Sequence, residues 1–194
     1  MRVTARIVVL ASGSGTLFQS LIDAPQRSQD FVITGFVTDQ PSAPALERAA
    51  RAGIPVAVIA LSDFETRDVW NSALSDAIAT YEPDFVVSAG FMRVIGEPAL
   101  TRFAGRIINT HPALLPAFPG AHAVRDALAA GATVTGSTVH YVDEGVDTGP
   151  VILQEAVEIL VADDETSLHE RIKIVERRLL VQAVTELAHE IGKS

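Results

Sequence analysis

The 194-residue chain contains no cysteine. Without thiols there is no disulfide framework, no thiolate metal site and no cysteine nucleophile. The same absence favours a reducing, cytoplasmic setting. Basic residues are scarce: 15 Lys and Arg stand against 24 Asp and Glu, for a formal net charge of −9. Affinity for nucleic acid rests on neutralising phosphates with a basic face, so no nucleic-acid partner is expected. An acidic average still permits one small basic pocket for a single phosphate. No apolar run approaches the ~18 residues of a membrane span. The run Ile7-Val8-Val9-Leu10-Ala11 is only strand length, so neither a membrane partner nor a secretory leader is expected. The five histidines (111, 122, 140, 169 and 189) have no ligand-like spacing, and no metal is expected. The Gly-x-Ser-x-Gly elbow of a serine hydrolase is also missing.

What is present is an ordinary globular composition, 48% hydrophobic and 20% charged, at a length that buries a sizeable core. The segment ARIVVLASGSGT reads as a buried strand breaking into a glycine-rich turn and a helix over about 16–23. A second apolar run spans 31–38. APALERAARAG has helical spacing, with Pro44 in the first turn and Gly53 as the stop. IPVAVI is a third strand. Ser62 to Glu65 has capping-box spacing and is expected to open a helix running to about Thr80. DFVVSAG and GRIINTH are further strands, with a short helix near 97–103 between them. Helical spacing returns over 122–130. ATVTGSTVHYV and PVILQEAVEI then read as two antiparallel strands joined by a long turn. A helix from Thr166 to about His189 closes the pattern, with Leu168, Ile172, Val175 and Leu179 as its apolar stripe. Strand–helix alternation predicts an α/β fold: a doubly wound, mostly parallel, Rossmann-like sheet with a C-terminal antiparallel hairpin. No linker or repeat divides the chain, so one domain over 1–194 is expected.

In open α/β sheets ligands sit beyond the carboxyl ends of the strands. Three motifs fall there or close by. The first is Gly13-Ser14-Gly15-Thr16, whose free backbone N–H groups at a helix start suit an anion; the alternative is a tight turn needing glycine for sterics alone. The third glycine of a dinucleotide fingerprint and the lysine of a Walker loop are absent, so a single phosphate fits better than a dinucleotide. The second is Asn109-Thr110-His111-Pro112. Period two puts Asn109 and His111 on one side of an extended segment, where an amide and an imidazole could serve one reacting oxygen; the alternative is a strand-end histidine bonded to backbone. The third is DEGVDTGP, with Asp147 between glycines. A carboxylate beside an imidazole favours the charged ring, while an isolated aspartate here is a solvated turn residue.

Together VVLASGSGT, GFMRVI, NTHPALLPAFPG and GSTVHYVDEGVDTGPVILQ resemble the phosphoribosylglycinamide formyltransferases of de novo purine synthesis, within the formyl-folate transferase and hydrolase superfamily. The similarity runs in order through nearly the whole chain. It implies a formyltransferase-like fold and transfer of the formyl group of 10-formyltetrahydrofolate, as co-substrate, to the amine of glycinamide ribonucleotide, without a metal. Asn109, His111 and Asp147 match the family's catalytic trio. Gly13, Ser14, Gly15, Thr16 and Leu17 match the substrate-phosphate loop, where the family often reads Gly-Ser-Asn and this chain reads Gly15-Thr16-Leu17. The backbone donors persist there; a side-chain amide at 17 does not. By the same resemblance Lys173 would reach the phosphate and Glu176 the ribose hydroxyls, although the two also read as a solvated i,i+3 charge pair. Arg67, Met92, Arg93, Val94 and Ile95 match the folate side, Val142 to Val146 part of the same cleft, and His140 a supporting histidine. Competing expectations are a 10-formyltetrahydrofolate deformylase, with water in place of the amine, and a non-catalytic sensor of a phosphate ligand. The deformylases' extra regulatory domain is not evident. Exposed apolar surface on one helix face would suit a homodimer.

Overall fold

The computed structural model describes residues 4–24 and 30–191. In chain order the elements are β1 (Ala5–Leu10), α1 (Thr16–Asp23), β2 (Phe31–Thr38), α2 (Ala45–Ala52), β3 (Val56–Val58), α3 (Arg67–Ala79), β4 (Phe85–Ser88), α4 (Glu97–Arg102), β5 (Ile107–His111), α5 (Ala123–Ala129), β6 (Val134–Tyr141), β7 (Val151–Glu158) and α6 (Glu165–Ile191). The strands form one seven-stranded sheet in the order β3-β2-β1-β4-β5-β6-β7. Pairing is parallel from β3 through β5 and antiparallel at β5–β6 and β6–β7. This is the expected doubly wound sheet with its C-terminal hairpin.

Central strands read as unbroken apolar runs because helices cover both faces. In β1, Ile7 and Val9 meet Phe18, Phe36, Leu180 and Val184, on the side of α1 and α6. Val8 and Leu10 point the other way, into Trp70, Leu74, Ile78, Val86 and Ile107. Phe18 stacks on Phe36 with ring centroids 4.5 Å apart. Burying each such side chain contributes about 2 kcal/mol.

Two local expectations need correction. The helix expected to open at Ser62 starts at Arg67. Its cap is Thr66, in extended conformation, whose hydroxyl accepts from the Val69 N–H at 3.3 Å. Residues Leu61–Asp63 form only a 3₁₀ turn. The indole N–H of Trp70 donates back to the Ile59 carbonyl at 2.8 Å, pinning this connection against the helix. The third strand is also shorter than IPVAVI. It lies at the sheet edge, pairs among the described residues only with β2, and follows Pro55, which has no N–H for a ladder.

The strand order reverses at β1, which has β2 on one side and β4 on the other. Connections leave in opposite directions there, and a crevice opens at the carboxyl ends. The Ser12 N–H bridges it to the Gly90 carbonyl at 3.0 Å. One strand further on, β5 delivers Asn109 beside Ser88 of β4 and His140 of β6.

Candidate active site

A cavity of about 520 Å³ occupies this crevice. Of the residues singled out from sequence, Gly13, Ser14, Gly15, Thr16, Leu17, Met92, Arg93, Val94, Ile95, Asn109, His111, His140, Val142, Val146, Asp147, Lys173 and Glu176 line it. Arg67 does not. Its guanidinium lies 4.3 Å over the Trp70 ring and donates to the Val94 carbonyl and, at 3.1 Å, to the Asn71 side chain. It therefore braces the 91–95 segment from behind.

At the centre stands Asp147, the point where three segments meet. Its Oδ2 accepts from the Gly120 N–H at 2.8 Å and lies 3.3 Å from His111 Nδ1, while Oδ1 lies 3.5 Å from His140 Nε2. The backbone of Asp147 is left-handed, with φ of 54°, which Asp tolerates better than most residues. The turn carrying it is internally bonded: Asp143 accepts from the Gly145 N–H and the Thr148 hydroxyl. Gly149 is obligatory, because a Cβ there would sit 1.8 Å from the Tyr141 carbonyl oxygen. His140, together with the Gly120 N–H and the nearby charge of His111, outweighs burial and holds the Asp147 carboxyl below the ordinary carboxylate range.

His111 is buried and uses both nitrogens. Nε2 donates to the Phe118 carbonyl at 2.7 Å, and Nδ1 faces Asp147. Both neighbours are acceptors, so the doubly protonated ring satisfies both. His140 donates from Nδ1 to the Tyr141 carbonyl at 2.8 Å, and its Nε2 lies 3.4 Å from Asn109 Nδ2. A neutral His140 thus accepts from Asn109, and a protonated one turns its proton to Asp147. Side chains hold the loop after His111: Thr138 donates to the Ala113 carbonyl and accepts from the Leu115 N–H, and Gln154 donates to the Leu115 carbonyl.

One end of the cavity suits an anion. The N-cap of helix α1 is Gly15, φ 70°, and among the described residues no side chain caps the helix's free N–H groups. A Cβ on Gly15 would lie 2.7 Å from that of Ala45, so this turn has room only for glycine. The other end is an apolar mouth of Phe91, Ile95, Val142 and Val146, with Met92 and Val94 about three-quarters exposed at 76% and 75%.

Residues 5–184 match the formyl transferase family. A phosphoribosylglycinamide formyltransferase of Mycobacterium tuberculosis H37Rv is 55% identical over 184 residues, covering 95% of this chain and 85% of that one. The chain belongs to the formyl transferase family. A Bacillus subtilis phosphoribosylglycinamide formyltransferase is 37% identical, with 94% of each chain covered. The crystal structure of glycinamide ribonucleotide transformylase 1 from Symbiobacterium toebii superposes with a TM-score of 0.94 at 40% identity, over 96% of this chain and 89% of that one.

Several residues of this formyl transferase were not singled out from its sequence. Gly120 supplies the N–H that fixes Asp147, and only the fold brings the two loops together. Thr110, on the face of β5 opposite Asn109 and His111, pulls the carboxyl of Glu176 in α6 downward. His169 lines the cavity one helical turn before Lys173; burial and the Lys173 charge push its imidazole below its ordinary range. The i,i+4 spacing from His169 to Lys173 was the available sequence signal.

Glu176 is not the solvated half of an i,i+3 pair. It is 5% exposed, and Lys173 pairs instead with Glu170 at 2.7 Å. Burial pushes the Glu176 carboxyl up to about 7, against the pull of Thr110, Lys173 and Arg177. The sign for stability follows from a raised acid: below its ordinary value near 4.5 both states are protonated and there is no penalty. The penalty grows from there to about pH 7 and reaches about 3 kcal/mol. Glu176→Gln should therefore melt about 6–12 °C higher than wild type at pH 8 and no higher at about pH 3.5. Equal melting temperatures at pH 8 would refute the buried, ionising carboxyl.

Proposed function

We propose that this protein transfers the formyl group of 10-formyltetrahydrofolate to the amine of glycinamide ribonucleotide, giving formylglycinamide ribonucleotide and tetrahydrofolate in purine synthesis. The observation that carries this reading is the convergence of Asn109, His111 and Asp147 on a cavity with an uncapped helix start at one end and an apolar mouth at the other. A phosphorylated amine and a flat heterocyclic donor would meet between those ends.

In the reaction the amine nitrogen bonds to the formyl carbon and the carbon–N10 bond breaks. One proton leaves the amine and one reaches N10. The substrate amine is itself the nucleophile, so no covalent enzyme intermediate is needed. Asn109 and His111 donate to the formyl oxygen as it becomes an oxyanion. To do so, His111 exchanges the Phe118 carbonyl for that oxygen. Asp147 holds the charge on the ring and relays the amine proton through water to N10. His140 supports Asn109 and Asp147. Backbone N–H groups of residues 13–17 and the Lys173 ammonium hold the phosphate, and Glu176 receives the ribose hydroxyls. The backbone of 92–95 reads the pteridine, while Met92, Val94, Ile95, Val142 and Val146 wall it. Arg67 supports that wall through Val94.

The test is folate release from 10-formyltetrahydrofolate with and without glycinamide ribonucleotide. Release should require the amine and match formylated product mole for mole. Release without the amine would make the protein a deformylase. Binding of both ligands with no release would make it a sensor.

A further inference from the structure

Away from the reacting trio, one buried carboxylate joins the two ends of the cavity. Asp39 follows the last residue of β2, and its side chain is fully buried. Its Oδ1 accepts from the Ser12 hydroxyl at 2.5 Å, and its Oδ2 accepts from Arg93 Nε at 2.7 Å and Gln40 Nε2 at 2.9 Å. Ser12 has a single hydroxyl proton and gives it to Asp39. Its oxygen is then free to accept, and it receives the Met92 N–H at 2.8 Å. The result is a directed chain from Met92 through Ser12 to Asp39, closed from the other side by Arg93. Burial alone would push the Asp39 carboxyl up, but the bonds from Ser12, Arg93 and Gln40 and the Arg93 charge bring it below the ordinary range. It is a full charge at neutral pH, and bonds to a charged acceptor are the stronger kind.

Each segment this carboxylate holds serves a different part of the cavity. Ser12 precedes the turn 13–17 at the anion end, and Met92 and Arg93 belong to the mouth. We propose that Asp39 is a positioning residue that sets the glycine-rich turn and the 91–95 segment in one register, so that the sites for both substrates depend on a single buried group. This rests on the formyl-transfer reading of the cavity. An amide cannot replace the carboxylate. The carbonyl oxygen of an asparagine at this position could accept from Ser12, but its NH₂ would then face the Arg93 Nε–H, donor against donor.

Steady-state kinetics of Asp39→Asn and Ser12→Ala, with both substrates varied, test this. Asp39→Asn should raise KM for each substrate about tenfold, the scale of a lost charge-assisted hydrogen bond, with kcat within about threefold of wild type. Ser12→Ala should raise both KM values in the same sense. The double variant should be no worse than the worse single one, because both changes cut one chain. A residue that only stabilises the fold would lower the active fraction and hence kcat, leaving KM alone. Unchanged KM values in an active Asp39→Asn enzyme overturn the proposal. If that variant does not fold, an unchanged Ser12→Ala enzyme overturns it equally. A wild-type protein that transfers no formyl group sinks the functional reading instead, and the two failures are distinct.

Discussion

Replacing His111 by alanine should lower turnover about a thousandfold while leaving the Kd for glycinamide ribonucleotide within about threefold of wild type. The size follows from the two tasks proposed for one ring. It donates to the developing oxyanion and carries the charge that Asp147 balances, and each task alone is worth on the order of 10²-fold or more. The groups proposed to anchor the ligand lie elsewhere, at the α1 start, Lys173 and Glu176. Because His111 is buried and bonded to the Phe118 carbonyl, alanine also leaves a void. His111→Gln controls for this: its amide can still donate to Phe118, but it cannot carry a positive charge. Stopped-flow turnover of both variants, with calorimetric binding of the ribonucleotide, provides the comparison. Near-normal turnover in either variant would remove His111 from the chemistry.

Asp147→Asn is the second large effect, a fall in kcat of about 10²- to 10³-fold. The substitution is close to a pure test of charge. Asparagine accepts the left-handed backbone at this position, and its carbonyl oxygen can keep the Gly120 N–H bond. What it cannot do is face His111 and His140 with negative charge. The linkage has a definite sign. Because the carboxyl is held below its ordinary value of 3.8, its stabilisation is fully present above that pH. It disappears as the pH falls through the lower value in the folded protein. The melting-temperature gap between wild type and Asp147→Asn should therefore be present at pH 5 and close as the pH falls below about 4. A gap that persisted in acid, or kcat within about tenfold of wild type, would contradict the charge-balancing role.

These expectations show how unevenly a chain of this kind can be read. The strand–helix alternation was legible because buried parallel strands must be apolar runs and surface helices must carry stripes. Element boundaries were less so. The Ser62–Glu65 spacing satisfies a capping box as well as Thr66 satisfies a simple cap, and the choice fell to Trp70 and its bond to Ile59. Arg67 shows a similar limit. Its resemblance to a folate-side residue says nothing of where the guanidinium points, and stacking on Trp70 turns it behind the segment it supports. For Lys173 and Glu176, helical spacing alone could not separate a solvated pair from a split one. The rotation of α6 against the sheet decides that, and it buries Glu176 against Thr110.

Whatever depends on neighbours along the chain could be read from the residues alone. Period two in β5 puts Asn109 and His111 on one side, and the glycines at 13 and 15 leave a helix start without a cap. These are properties of local geometry, which a few residues encode. It took the assembled sheet to bring Asp147, from the turn after β6, to His111 and His140. The same assembly set Gly120 against that carboxylate and linked Ser12, Met92 and Arg93 to Asp39. Those contacts join segments distant in sequence, and their strength comes from burial. Desolvation and hydrogen-bond partners act on a side chain only once the fold has packed around it.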